Sequence, residues 1–195
     1  MKRLIALCIT LLMTTLLFGG EPMNDTIKTI MNRKSVRAYK EGPVSKDQLE
    51  VIVKAGMAAP TAVDKRPWEF IVVTDKVMLK KLSDILPYAK MVEKAGAAII
   101  VAGDLDRQQG GRESDFWVVD CSAATENILL AIESLGLGAV WTAVYPDKER
   151  IETVRKLLKI PSTVVPLNVI PVGIPTGAEK PKDKWNPKQL HWNGW

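Results

Sequence analysis

Four short runs of β-branched and aliphatic residues, each closed by turn residues, constrain the fold of this chain more than any other feature. They are EFIVVT (Glu69 to Thr74), AAIIVAG (Ala97 to Gly103), AVWTAV (Ala139 to Val144) and PLNVIPVG (Pro166 to Gly173), and each reads as a strand. The segments between them carry helical spacing. Asn24 or Asp25 caps a first short helix through Asn32, and Ser45 with Gln48 forms a capping box that opens a helix through about Ala58. Further helical patterns run from Lys76 to Leu86, Met91 to Ala95, Phe116 to Leu135 and Asp147 to Leu158, the last with Pro146 at its start. Together these predict an α+β sandwich, with helices packed around a small sheet.

Both ends of the chain depart from this alternation. Residues 1 to 20, MKRLIALCITLLMTTLLFGG, have a basic start, an apolar core from Leu4 to Phe18 and a glycine finish, which is the layout of a secretory leader. The run is too short for a lasting membrane span. On this reading the protein is exported, to the periplasm; translation from Met23 would leave it in the cytoplasm instead. Residues 23 to 195 then form a single domain, since 195 residues leave little room for two and no linker is visible. Loss of the leader removes Lys2 and Arg3 and lowers the formal charge from +5 to +3. Nucleic-acid binding thereby loses most of its compositional support. At the other end, the arm from residue 175 to 195, PTGAEKPKDKWNPKQLHWNGW, has neither helical nor strand period. Trp185, Trp192 and Trp195 give it too much apolar surface for solvent, so it reads as an arm docked over a second protomer.

Constellations that carry chemistry by themselves are few. The only histidine is His191, which disfavours histidine-assisted nucleophiles and histidine-rich metal sites. Neither GxGxxG nor GxxxxGK[ST] occurs, so any chemistry falls to a bound cofactor. Cys121, the one cysteine beyond the leader, has no disulfide partner and reads as a packed small hydrophobe in a long helix. NRKSVRAY (Asn32 to Tyr39) sets Arg33, Ser35 and Arg37 at spacing two, where extended backbone lets them converge on one ligand. Guanidinium forks beside a hydroxyl suit a phosphate, though such a loop taken alone is more often solvated charge. Lys182 and Lys184 in KPKDK carry the same two readings. In AAPTAVDKRPWEFIVV (Ala58 to Val73), small side chains around Pro60, Thr61 and Ala62 would let a backbone approach a flat ring. An ordinary helix-to-strand connection would look the same, as would GLGAVWTAVYP (Gly136 to Pro146).

In this order and at these distances, NRKSVRAY, AAPTAVDKRPWEFIVV, ESLGLGAVWTAVYP and VIPVGIP followed by KPKDKWNP resemble the FMN-dependent nitroreductase family, over essentially the whole span from Met23 to Trp195. The resemblance implies a nitroreductase-like sandwich, with a small, mostly antiparallel central sheet flanked by helices and a C-terminal arm extending over the partner of a homodimer. It implies that Arg33 and Ser35 hold the FMN phosphate and ribityl chain with Lys34 alongside, and that Arg37 faces flavin N1 and O2. Pro60, Thr61 and Ala62 would flank the isoalloxazine from the other protomer. Val140, Trp141, Thr142 and Ala143 would form the strand end whose backbone amides reach N5 and O4, and Lys182 and Lys184 would complete the phosphate site.

Two positions depart from the family pattern. Lys184 stands where arginine is common and lacks its bidentate fork, and Asp64 stands where an amide is common. The implied activity is hydride transfer from NADH or NADPH through FMN to a small-molecule acceptor such as a nitroaromatic or quinone, with no catalytic side chain and no metal. Within the family the alternatives are a flavin reductase, a dehalogenase or an enone reductase. Outside the enzymes, the alternative is a flavin-binding protein without turnover. A nucleic-acid module fits poorly, because the basic residues do not interleave with stacking aromatics.

Overall fold

The computed structural model describes residues 24–195, so the leader reading lies outside the described residues. The first helix, α1 (Asp25–Asn32), is capped by Asn24, whose side-chain oxygen accepts the N–H of Ile27 at 2.9 Å.

From residue 32 onward the chain follows the expected alternation. The elements are β1 (Tyr39–Lys40), α2 (Lys46–Met57), β2 (Trp68–Val73), α3 (Lys76–Ile85), β3 (Ala97–Asp104), α4 (Phe116–Ser134), β4 (Gly138–Ala139), β5 (Thr142–Ala143), α5 (Lys148–Leu158) and β6 (Val164–Pro175). The sheet runs β1-β6-β3-β2, with β4 and β5 also on β6, and every pairing between strands is antiparallel. This is the α+β sandwich with an antiparallel sheet that the sequence predicts. The capping box of α2 is present in both directions: Gln48 N–H donates to Ser45 Oγ at 3.2 Å, and Ser45 N–H donates to Gln48 Oε1 at 3.0 Å. Asp75 and Asp147 cap α3 and α5 in one direction only, accepting the N–H groups of Met78 at 2.8 Å and Arg150 at 3.0 Å.

The central strand β3 explains why its sequence is an unbroken apolar run. Ala97, Ile99 and Val101 face a core built with α2 and α4, which includes Leu49, Ile52, Trp117 and Ile128. Ala98, Ile100 and Ala102 face a second core built with α3 and α5, which includes Leu79, Leu82 and Val154. A strand alternates its side chains between faces, so burial on both faces demands apolar residues at every position. Cys121 lies within the first core, fully buried, and its thiol donates to the Ala102 carbonyl at 3.4 Å. Burial pushes that thiol's pKa far up, which leaves it a packing group rather than a nucleophile.

Three features differ from the sequence reading. The run AVWTAV is not one strand but two short pieces, β4 and β5, separated at Val140 and Trp141. The pairings Ala139 with Val172 and Thr142 with Val169 share one register, and continuing it sets Val140 opposite Pro171. Proline has no N–H to donate, so the ladder opens there. The helical pattern at Met91 to Ala95 forms a 3-10 turn, Lys90–Lys94. Finally, β1 joins the sheet at the far end of β6, pairing Tyr39 with Pro175 and Lys40 with Ile174.

Among the described residues no helix is long and apolar enough to cross a membrane, and no group of three or more His, Cys, Asp or Glu side chains could hold a metal ion.

Candidate functional site

The basic loop before β1 is pinned to the sheet by contacts that only glycines permit. Val36 N–H donates to the Ala139 carbonyl at 2.8 Å, and Ser35 bridges Ala139. Gly138 and Gly173 stand opposite each other in the β4–β6 pairing. A Cβ on Gly138 would lie 2.7 Å from Val36, and one on Gly173 would lie 2.8 Å from the Tyr39 ring. The missing side chains therefore let the loop lie down against the sheet. Val36 becomes buried and Tyr39 half-buried, while Arg37 between them remains exposed. Burial, reinforced by the nearby Glu179 carboxylate, raises the Tyr39 pKa well above its ordinary value, and its hydroxyl donates to the Val36 carbonyl at 2.8 Å.

The C-terminal arm closes over the same loop. Thr176 N–H donates to the Ala38 carbonyl, and one carboxylate oxygen of Glu179 accepts the backbone N–H groups of Arg37 at 2.8 Å and Ala38 at 3.2 Å. Those amide donors, Arg37's foremost, hold the Glu179 pKa below the usual carboxylate value. The clasp brings the lysines of the arm beside the arginines of the loop.

The result is a cationic cavity of about 390 Å³, lined by Arg33, Lys34, Ser35, Arg37, Glu179, Lys180, Lys182 and Lys184. Arg33 and Lys34 are held from α4, by Glu126 at 3.0 Å and Glu133 at 2.7 Å. Arg37, Lys180, Lys182 and Lys184 have no acidic partner among the described residues, so the cavity keeps an excess of positive charge. A phosphate is the natural complement of that donor set.

A second cavity of about 430 Å³ adjoins it, and Arg37 lines both. Its walls are Leu86 to Ala89 and Met91 after α3, the opened stretch Val140 to Ala143, and Arg150 from the first turn of α5. The N–H groups of Val140, which faces Pro171 where the ladder opens, and of Trp141, on the other side of the segment, donate to no other backbone group among the described residues. The cavity thus offers flat and aliphatic surface, free backbone donors and, at the junction with the cationic cavity, one guanidinium.

Sequence comparison agrees with this geometry. The sequence model of the nitroreductase family matches residues 30–87 and 86–174. The chain belongs to the nitroreductase family. A relative from Methanothermobacter thermautotrophicus, provisionally named NADH dehydrogenase/NAD(P)H nitroreductase, is 44% identical over 173 residues, which is 88% of each chain. A Parabacteroides distasonis structure of the same provisional name is 53% identical and superposes with a TM-score of 0.83, covering 89% of this chain and all of that one. An FMN-dependent nitroreductase from Clostridium difficile superposes with a TM-score of 0.79 at 30% identity, covering 87% of this chain and 99% of that one.

Within this member of the family, the sequence-predicted residues fall into three groups. Arg33, Lys34, Ser35, Arg37, Lys182 and Lys184 come together in the cationic cavity. Val140, Trp141, Thr142 and Ala143 line the adjoining one. Pro60, Thr61 and Ala62 line neither. They lie at the other end of α2, where the Ala62 N–H donates to Asp120 of α4 at 2.9 Å and Thr61 accepts the Arg66 N–H at 3.0 Å. Asp64, the position where the family commonly carries an amide, makes a two-point ion pair with Arg66 instead. The tryptophans of the arm are exposed in the single chain.

Sequence reasoning missed Tyr88, Arg150 and Glu179. A tyrosine after a proline, an arginine in a helix's first turn and a glutamate among tail lysines each look like ordinary surface residues. Only the fold brings them to the cavities.

Proposed function

We propose that this protein is a homodimeric FMN-dependent oxidoreductase that draws electrons from NADH or NADPH and delivers them to nitroaromatic, quinone or related small acceptors. The observation that carries this reading is the pair of adjoining cavities joined at Arg37, one cationic, the other flat-walled and edged by free backbone amides. FMN has the matching parts in the matching order. When bound, it supplies the reversible two-electron chemistry that no side chain here can perform.

The chain's own residues bind, orient and tune. Arg33, Ser35, Lys182 and Lys184 would hold the phosphate, and Lys34 would steady the loop through Glu133. Arg37 places a fixed positive charge at the junction, which lowers the cost of adding negative charge to a ring seated there. The open backbone at Val140 and Trp141 offers donors that cost no rearrangement to use. Pro60, Thr61 and Ala62 line neither of these two cavities, which supports their serving the partner's site, with the exposed tryptophan arm lying across that partner. The test is oxidation of NADH and NADPH by the FMN-loaded protein with a nitroaromatic acceptor. Acceptor-dependent turnover is expected; flavin-loaded protein that oxidises neither nucleotide would refute the catalytic reading.

A further inference from the structure

The flat-walled cavity holds a second guanidinium, Arg150, that FMN binding as described does not use. The cavity is lined by two arginines and no carboxylate. Arg150 sits over the Tyr88 ring, its guanidinium carbon 5.3 Å from the centroid. That contact sets an aromatic ring and a positive charge side by side in the cavity wall. Asp147 pairs with Arg150 from one side only, through Nε. One of its oxygens is occupied as the α5 cap, accepting Arg150's own backbone N–H at 3.0 Å, and the other stands 3.4 Å from Arg150 Nε. The two terminal nitrogens of Arg150 have no acceptor among the described residues. They are a donor fork of the kind that grips carboxylate or phosphate in two-point fashion.

From this we infer that Arg150 and Tyr88 form an anion-selecting subsite for the ligand that enters beside the flavin, so that planar aromatic ligands carrying a negative group are preferred over neutral ones. The inference rests on the proposed oxidoreductase reading and names the ligand class that site would take. Two sources carry the chemistry: a carboxylate on the electron acceptor, or a phosphate of the nicotinamide nucleotide. Arg150 is a specificity-determining residue here, since a charge at the cavity wall sorts ligands and the electron transfer itself is left to the cofactor.

The experiment compares 4-nitrobenzoate with neutral 4-nitrobenzamide on the purified protein, by calorimetric binding and by kcat/KM, in the parent, in Arg150→Gln and in Arg150→Lys. The parent is expected to bind the carboxylate more tightly. Arg150→Gln should reduce the benzoate-to-benzamide ratio about tenfold, a difference of about 1.4 kcal/mol. The change should fall mainly in KM, and lysine should restore part of it. If that ratio holds while the KM for NADPH rises about tenfold, the anion is the nucleotide's phosphate and the subsite stands. A benzoate-to-benzamide ratio and an NADPH KM both unchanged in Arg150→Gln would overturn it. Absorption by bound flavin is read on the same samples, so a protein that lacks flavin would sink the functional reading separately, while the binding comparison still decides the subsite.

Discussion

Gly138→Ala should damage the candidate site from beneath without touching any residue that faces a ligand. The added Cβ would meet Val36 Cγ1 at 2.7 Å, Cβ at 2.8 Å and Cγ2 at 3.0 Å. Carbon atoms rest at about 3.5 to 4.0 Å, so roughly 1 Å of movement is needed. Val36 cannot swing away cheaply, because it is 1% exposed and its N–H is bonded to Ala139. Overpacking of this kind costs about 1 to 3 kcal/mol. For a chain of this size each kcal/mol lowers Tm by about 2 to 4 °C, so a fall of about 2 to 12 °C is expected by calorimetry. Arg37 follows Val36 directly, so displacing the loop should also weaken FMN, read by fluorescence titration. The double variant Val36→Ala with Gly138→Ala gives the new methyl the room that valine occupied. It should be more stable than the sum of the single losses, by a coupling of about 0.5 to 3 kcal/mol. A Gly138→Ala protein with parental Tm and FMN affinity, or a double variant whose losses simply add, would refute the claim that this glycine seats the loop.

Arg37→Gln should retain FMN while lowering the flavin midpoint potential, by roughly 20 to 45 mV for about 1 to 2 kcal/mol of lost preference for the reduced form; an unchanged or higher potential in a redox titration would contradict the role given to Arg37. Glu179→Gln should flatten the acid limb of the stability curve. Since the folded pKa of Glu179 lies below its ordinary 4.5, its stabilisation is present above that value and is lost as pH falls through the lower folded value. Urea midpoints measured across that range should therefore fall for the parent more than for the variant, and parallel curves would show that the clasp is not electrostatic. Removal of residues 183 to 195 should give a less stable, flavin-poor protein with weakened self-association, seen by sedimentation; a flavin-loaded monomer of undiminished stability would contradict the proposed arm.

The layers of the fold were legible because each rests on local pattern. Ser45 and Gln48 announce α2, and AAIIVAG announces a strand buried on both faces. What stayed hidden depends on partners distant in sequence. The break between β4 and β5 is written in Pro171 of another strand, and β1 is a two-residue strand defined by Pro175 and Ile174. The same distinction runs through the site. The basic loop and the tail lysines were visible as charge, whereas the pairing of Arg33 with Glu126 and the stacking of Arg150 over Tyr88 follow from helix placement. Pro60 to Ala62 line neither of these cavities.

The central claim is that one cavity takes the phosphate and its neighbour takes the ring of the same ligand. A paired titration of the purified, flavin-stripped protein with FMN and with riboflavin tests it most directly, because the two differ only by the phosphate. The account predicts a yellow complex with FMN, with riboflavin bound at least tenfold more weakly, as expected from the loss of a charge-assisted contact of about 1.5 to 3 kcal/mol. Equal affinity for the two flavins, or no binding of either, would contradict it.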